Sequence, residues 1–490
     1  MVYAPEEAPL ASPAPFQDTT SSGWEQLYQH ACTFKPETFE RVMLNLIRNP
    51  NINSSWLFRA DILYDSADDG ANEDEVQPVN HDIARMPLQR SLIRKLIPRN
   101  TSRDAPLDQT CTFHRAEGED GTIRSLVLYV PHSSSADELP FYHPNVNAIA
   151  HYYEWDPSAE AGHISVSFLP FKGNGAPDLS GKKLRRVAYH LLEVVHKHGH
   201  STELGYVKRV HHDILVPQSR VQDRYQKLKD RYARILCSTW AETTDPVKHV
   251  FEDLSIAAFL IELWEDMYKG REFPGFVDIG CGNGLLVNLL VKEGYRGWGF
   301  DARSRKSWEQ YNLDSSASPS GRALEQRLLL PRVVHRPSTS ERSQNLSPDL
   351  IHDGTFPPET FIISNHADEL TPWTPILAAL SNCPFIMIPC CSHRLTGERF
   401  RPKPPRDKSK SQSTYASLVD WVSQITEACG WELETEMLRI PSTRNTGLLG
   451  RRQTKDLGQG DIEQVIKVFG GVDGYYENVV KLVGSAPRAH

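Results

Sequence analysis

An acid and three alternating glycines, Asp278-Ile279-Gly280-Cys281-Gly282-Asn283-Gly284, follow a short apolar run, Phe276-Val277, and precede a leucine-rich stretch, Leu285–Leu290. Glycines at 280, 282 and 284 let the backbone turn sharply off a strand, and they let a ligand approach the peptide groups with no Cβ in the way. A helix that starts there presents free N–H groups to acceptor atoms. Asp301 ends a second apolar run, Gly297–Phe300, at roughly the distance expected of a ribose-binding acid. A carboxylate in that place can accept both ribose hydroxyls. Glycines after a strand can also simply make a tight turn. Acid, glycines, helix and second acid in this order argue for a nucleoside-bearing cofactor.

Two cofactors fit that logic. A dinucleotide fingerprint needs glycine at 285, and Leu285 stands there, which disfavours an NAD-dependent oxidoreductase. The observed spacing matches the form that binds S-adenosylmethionine in methyltransferases. Asp278, Gly280, Gly282, Asn283, Gly284 and Asp301 are the candidate cofactor residues. Asn365 joins them from Ser364-Asn365-His366-Ala367-Asp368-Glu369-Leu370, a polar loop after the apolar run Phe361–Ser364. Working residues of open α/β sheets lie at the carboxyl ends of strands, so this loop faces the methyl group. Asp368 and Glu369 could serve as a general base or position a hydroxyl, and both could instead cap a helix. Pro372-Trp373 adds a rigid turn and a flat side chain. Pro389-Cys390-Cys391-Ser392-His393 reads as packable residues at a strand end. His196, His198, His200, His211 and His212 have no fixed ligand spacing and read as solvated or structural.

These loops need elements to hold them. Asp245-Pro246 is a helix start, an N-cap acid followed by proline, and the periodicity carries that helix to about Tyr268, with Gly270 as its stop. Strand, glycine loop, helix and second strand make a βαβ unit, the mark of a doubly wound α/β sheet. Further strands are expected at 361–364, 385–388 and 434–440, a helix at 415–429, and a last edge strand at 479–483. Residues 312–350 read as a flexible connector, and 394–414 as a flexible basic loop. Residues 1–22, rich in Pro, Ser and Thr, are expected to be disordered, and 23–204 to form an α+β region without a catalytic signature. The methyltransferase domain is then 205–490.

Of the 490 residues 39% are hydrophobic, enough for two domains but without a run of about 18 apolar residues to span a membrane. The start, with Glu6 and Glu7, does not read as a secretory signal. Eight cysteines without a CxxC pair suit a reducing, cytoplasmic setting. The net charge of −8 means that any nucleic-acid contact must rest on a local basic patch. Residues 394–410 (RLTGERFRPKPPRDKSK) offer one, and Arg439, Arg444, Arg451 and Arg452 another. Either could equally be a solvated charged surface.

The sequence resembles the eukaryotic tRNA (uracil-2′-O-)-methyltransferases that modify position 44 of serine tRNA. The matching stretches are HHDILVP (211–217), TDPVKHVFEDLSIAAFLIELW (244–264), FVDIGCGNGLL (276–286), NHADELTPW (365–373), PCC (389–391) and LRIPSTRN (438–445). The resemblance implies a Rossmann-like class I S-adenosylmethionine-dependent sheet and methyl transfer to a ribose 2′-hydroxyl of tRNA, with no DNA and no membrane as partner. It implies Asp368 as first candidate base, with Glu369 beside it, and Lys248 as the lysine that many 2′-O-methyltransferases of this fold use. A Cys/His zinc module of some members is not recognised, so no metal is expected. A methyltransferase acting on a small molecule or protein, and a non-catalytic scaffold that binds the cofactor, are the competing readings.

Overall fold

The computed structural model describes residues 3–68, 77–101, 103–172, 179–205, 213–334 and 347–483. The chain divides into two compact units, Met1–Lys208 and Arg209–His490.

The first unit is built on eight strands: β1 (Glu6–Glu7), β2 (Glu25–Cys32), β3 (Leu57–Asp65), β4 (Leu88–Pro98), β5 (Leu107–Glu117), β6 (Ile123–Pro131), β7 (Ala148–Asp156) and β8 (Ala161–Leu169). They form one antiparallel sheet in the order β1-β2-β8-β7-β6-β5-β4-β3. Helices α1 (Pro36–Arg48) and α2 (Lys182–Glu203) pack on one face through Phe39, Val42, Met43, Leu46, Leu184, Leu192 and Val195. The opposite face buries Leu126, Leu128, Ala150 and Tyr152 under Trp24, Ile83 and Met86. Residues 3–22, expected to be disordered, run along this sheet instead. β1 pairs with β2, Ala14 and Phe16 pack on the second core, and Asp18 binds the Trp24 indole at 2.8 Å and the His81 ring at 2.6 Å. A composition rich in Pro and Ser hid a segment held by single apolar and ionic anchors. His196 packs against His30 with ring centroids 4.4 Å apart, and burial pushes its pKa down to about 4. His211 and His212 lie outside the described residues.

The second unit opens with α3 (Gln218–Leu228), α4 (Arg234–Ser238) and α5 (Pro246–Met267). The Asp245 side chain accepts from the Val247 N–H, so the acid–proline start works as its spacing predicts. The strands are β9 (Phe276–Ile279), β10 (Gly297–Asp301), β11 (Leu324–Gln326), β12 (Leu328–Leu329), β13 (Ile351–His352), β14 (Phe361–Asn365), β15 (Phe385–Ile388), β16 (Trp431–Met437) and β17 (Thr446–Gln453). Seven form a sheet in the order β11-β10-β9-β14-β15-β17-β16, the first five parallel and β17 antiparallel to both neighbours. β12 and β13 pair apart. α6 (Leu285–Lys292) and α5 cover one face of the sheet; α8 (Thr374–Ser381) and α9 (Thr414–Ala428) cover the other, with α7 (Trp308–Tyr311) beside α6. Alternation along β9 serves both: Phe276 enters one core, Val277 and Ile279 the other.

Three expectations change. Residues 479–483 are no edge strand; they end α11 (Tyr475–Val483), which follows α10 (Gln459–Val468). Tyr475, Tyr476 and Val479 are buried at helical spacing, and the β-branched run alone had suggested a strand. Within 312–350, Ala323, Leu324 and Leu328–Leu330 are buried, and β11 forms the sheet edge; 335–346 lie outside the described residues. The 394–414 stretch has little regular structure, yet Leu395, Pro402 and Pro405 are buried and anchor it.

The entry to this unit is clasped by one buried acid. Glu436 on β16 accepts the N–H groups of Asp213, Ile214 and Leu215 at 2.9, 2.7 and 3.0 Å, while Arg439 grips the Asp213 carboxylate at 2.6 and 3.0 Å. Removing a charged acceptor that serves three donors costs about 3 kcal/mol. Glu436→Ala should therefore lower the melting temperature of the second unit by several degrees, with Glu436→Gln intermediate, as read by calorimetry.

Candidate active site

A cavity of about 660 Å³ opens at the carboxyl ends of β9, β10 and β14, closed on one side by α5. The glycine loop forms one wall. Gly282 has φ +53° and nothing within 4 Å of the place where a Cβ would stand. Gly284, at φ +77°, has no such space: a Cβ there would lie 2.5 Å from a Leu324 methyl. The loop is tied down by its carbonyls, with Trp308 Nε1 donating to Gly282 O at 2.9 Å and Ser307 Oγ to Asn283 O at 2.7 Å. Asn283 lines the cavity, but its Oδ1 accepts from Leu285 N at 2.8 Å, an Asx turn just ahead of the helix. Asp301 turns into the crevice: Oδ2 accepts from Gly282 N and Oδ1 from Arg303 N, each at 3.1 Å. Burial lifts the Asp301 carboxyl above its ordinary value, while those N–H groups and the Arg305 guanidinium pull it down.

Beneath the loop lies a floor of acids. Asp278 is only 2% exposed, its Oδ1 has no hydrogen-bond partner, and burial beside Asp253 and Asp301 drives its carboxyl well up. Asp253, from α5, is buried next to Glu252, and burial pushes it to about 8. Asn365 Nδ2 reaches Asp253 Oδ1 at 3.5 Å, and Asn365 Oδ1 has no partner. Apart from the long contact from the Asn365 amide, acceptor oxygens meet here without donors, an arrangement that a cation carrying N–H groups would satisfy.

The 365–370 loop forms the facing wall and touches the glycine loop: a Cβ on Gly280 would stand 3.0 Å from the Ala367 methyl carbon. His366 and Asp368 hold φ of +51° and +44°, strained for non-glycine residues. His366 Nε2 lies 3.0 Å from Glu252 Oε1, and its Nδ1 is buried without a partner. Asp368 Oδ1 accepts from the Cys390 thiol at 3.3 Å. Cys390 is pushed far up by its hydrogen bond with Cys391, by burial and by the Asp368 charge, so it stays a protonated donor. The donor atoms of Asp368, Cys390 and Cys391 lie within 4.8 Å of one another. Glu369 also lines the cavity. Trp373 does not: it is fully buried and donates to Leu395 O at 3.1 Å. Asp368 and Glu369 stand in the first turn of the short 3-10 helix 368–373, whose N-cap residue is Ala367.

Lys248 lines the rim as an exposed side chain, one helical turn from Glu252. Arg303, Arg305, Lys306, Arg327 and Arg444 join it there. The second basic group proposed from sequence largely dissolves into ion pairs: Arg439 with Asp213, Arg451 with Glu434 and Arg452 with Glu432. In the 394–410 loop Arg406 is held by Asp420 and Glu427, and no cation of that loop lines the cavity. Sequence reasoning missed Glu252 and Asp253, although two adjacent acids inside an apolar helix were a signal. It also missed Arg303-x-Arg305-Lys306, directly after Asp301.

A family model described as "TRM44-like, N-terminal bet v1-like domain" matches residues 3–209, and one described as "Predicted AdoMet-dependent methyltransferase" matches 215–326. A tRNA (uracil-O(2)-)-methyltransferase of Neurospora crassa is 55% identical over 501 residues, covering 99% of this chain and 98% of its own. The protein of the same name from Schizosaccharomyces pombe is 39% identical over 500 residues, covering 98% and 96%. A solved STAR-related lipid transfer protein fragment from Xanthomonas axonopodis matches 38% of this chain and 99% of its own at 10% identity and a TM-score of 0.23, too weak to build on.

The two glycines separate fold from ligand. Gly282→Ala should cost only about 1 kcal/mol of stability for its left-handed backbone but weaken binding of a nucleoside ligand in calorimetry; Gly284→Ala, blocked by Leu324, should lower the melting temperature more. Asp253 gives a pH signature. The folded unit keeps a proton that the unfolded chain, with an aspartate near ~3.9, has lost, so stability falls as pH rises from ~4 towards 8. Asp253→Asn removes that slope, and thermal scans should show the variant gaining on the parent at pH 8 but not at pH 4.

Proposed function

The chain belongs to the tRNA (uracil-O(2)-)-methyltransferase family, and from that premise we propose that its second unit moves the methyl group of S-adenosylmethionine to the ribose 2′-hydroxyl of uridine 44 in serine tRNA. The observation that carries this reading is one cavity with an acidic floor, an open glycine wall and a cationic rim. The sheet order, with one antiparallel strand inserted beside the last, supports reading it as a Rossmann-like class I methyltransferase sheet. The stretches NHADELTPW and LRIPSTRN support the choice of serine tRNA and position 44.

The residues present suit the methyl donor. Asp301 suits ribose hydroxyls, Gly282 leaves room for a nucleoside, and the unpartnered oxygens of Asp278 and Asn365, with Asp253, suit an ammonium. Bound there, the donor supplies a methyl group on a sulfonium, already a good leaving group. The protein then has to orient the hydroxyl in line, exclude water and take up its proton. Lys248, Lys306 and Arg444 stand where tRNA phosphates would pass. In the first unit Lys182, Lys183 and Arg186 occupy the first turns of α2, where the helix dipole disfavours cations, so they too suit a phosphate backbone. Eight free cysteines fit a cytoplasmic place of work.

Nucleoside mass spectrometry of tRNA incubated with the protein and S-adenosylmethionine should show 2′-O-methyluridine at position 44 of serine tRNA. Methyl on a protein or small molecule instead, or cofactor binding without turnover, would overturn the assignment. The double variant Lys306→Glu/Arg444→Glu should raise the KM for tRNA several-fold and reduce the salt slope of binding by about 2, with cofactor affinity unchanged.

A further inference from the structure

Resting on the reading of this cavity as a site of methyl transfer to a ribose hydroxyl, we propose that His366, oriented by Glu252, is the general base of the reaction. The assignment comes from hydrogen-bond capacity. A carboxylate only accepts, so the 3.0 Å contact to Glu252 Oε1 places the ring proton on Nε2. Nδ1 then carries the lone pair; it is buried in the cavity wall and has no hydrogen-bond partner. A basic nitrogen is thus held in one tautomer by an acid on a separate element, the arrangement by which carboxylates orient working imidazoles. Both residues line the cavity.

The backbone agrees. His366 sits at φ +51°, a conformation costing about 1 kcal/mol or more. It is pinned by its own N–H to Ile388 O at 3.2 Å and by Leu370 N to Ala367 O at 2.8 Å. The Ala367 methyl beside Gly280 holds this loop against the glycine wall, next to the space assigned to the methyl donor. Asp368, the candidate from sequence, is less suited, because the Cys390 thiol already occupies its Oδ1. In the step, the bond from the 2′-oxygen to the methyl carbon forms as the carbon–sulfur bond breaks. The electron pair leaves on sulfur, and the hydroxyl proton passes to His366 Nδ1. Glu252 is a positioning residue: it touches the imidazole and stabilises the imidazolium that results.

The left-handed backbone makes the test clean, since asparagine and glycine both tolerate it. His366→Asn should bind S-adenosylhomocysteine and tRNA as the parent does but lose about 100-fold in kcat, the usual share of a general base. His366→Gly should regain part of its rate when imidazole is added, which a merely structural histidine would not. Glu252→Gln should lower kcat less and leave KM alone. Independently of turnover, histidine-selective ¹⁵N NMR should find the His366 proton on Nε2 in the parent and a mixture of tautomers in Glu252→Gln. The proposal is overturned if His366→Asn turns over at the parental kcat, if Asp368→Asn abolishes kcat while His366→Asn does not, or if Nδ1 carries the proton. A parent protein that makes no 2′-O-methyluridine would instead bring down the functional reading beneath it.

Discussion

Two carboxyl groups under one cavity set the terms for everything around them. Asp253 and Asp278 are buried, they lie close enough to repel, and among the described residues no basic side chain is paired with either. An isolated buried carboxylate is costly enough that protonation is the cheaper state, which is why both titrate high. A cationic ligand reverses that balance, because its charge lets the acids ionise in place. Such a floor favours a cationic ligand over an anionic one. It also demands rigidity, since the two acids come from different elements. α5 is held to the sheet by Trp264, whose ring lies 5.6 Å from Phe276 and 5.4 Å from Phe361, and that packing fixes where Asp253 meets Asp278.

The same economy of charge separates the unpaired cations at the rim from the rest. Across the second unit, arginines are mostly bound to acids: Arg220 and Arg224 share Glu262, and Arg231 holds Glu293. Such pairs fix helices to one another and leave little field outside. Lys248, Lys306 and Arg444 differ in being exposed, and no ion pair joins any of them to an acid among the described residues. Arg444 lies over the Tyr415 ring at 4.6 Å, which restrains it without neutralising it. A chain that is acidic overall can thus present a cationic rim at one opening, because most of its other arginines are already paired.

How far the sequence led depends on the range of the interaction involved. The βαβ core, the capped start of α5 and the inward turn of Asp301 were legible because their signals are local: periodicity, an N-cap acid, and glycines in order. The α11 helix was misread because four apolar residues were taken without the two tyrosines before them. The connector and the N-terminal segment were read as loose because single anchors such as Leu324, or Phe16 against Trp24, leave no periodic trace. The acid floor and the His366–Glu252 contact join residues 25 and 114 apart respectively, so no window of sequence displays them. What could be seen was a polar stripe, Lys248, His249, Glu252 and Asp253, at helical spacing on an otherwise apolar helix.

The distinctive stretches also divide once their contacts are known. In NHADELTPW, His366 lines the cavity and keeps one buried ring nitrogen without a partner, whereas Thr371 and Trp373 are fully buried and serve the core. In LRIPSTRN, Arg439 grips Asp213 beside the clasp of Glu436, and only Ser442 and Arg444 reach the cavity. One recognisable string therefore mixes a few groups that can touch a substrate with several that hold the backbone on which those groups stand. The two kinds are distinguished by where each hydrogen-bond donor and acceptor ends, and by that measure the unpartnered oxygens of Asp278 and Asn365 and the buried, unpartnered Nδ1 of His366 are the ones left for a ligand to complete.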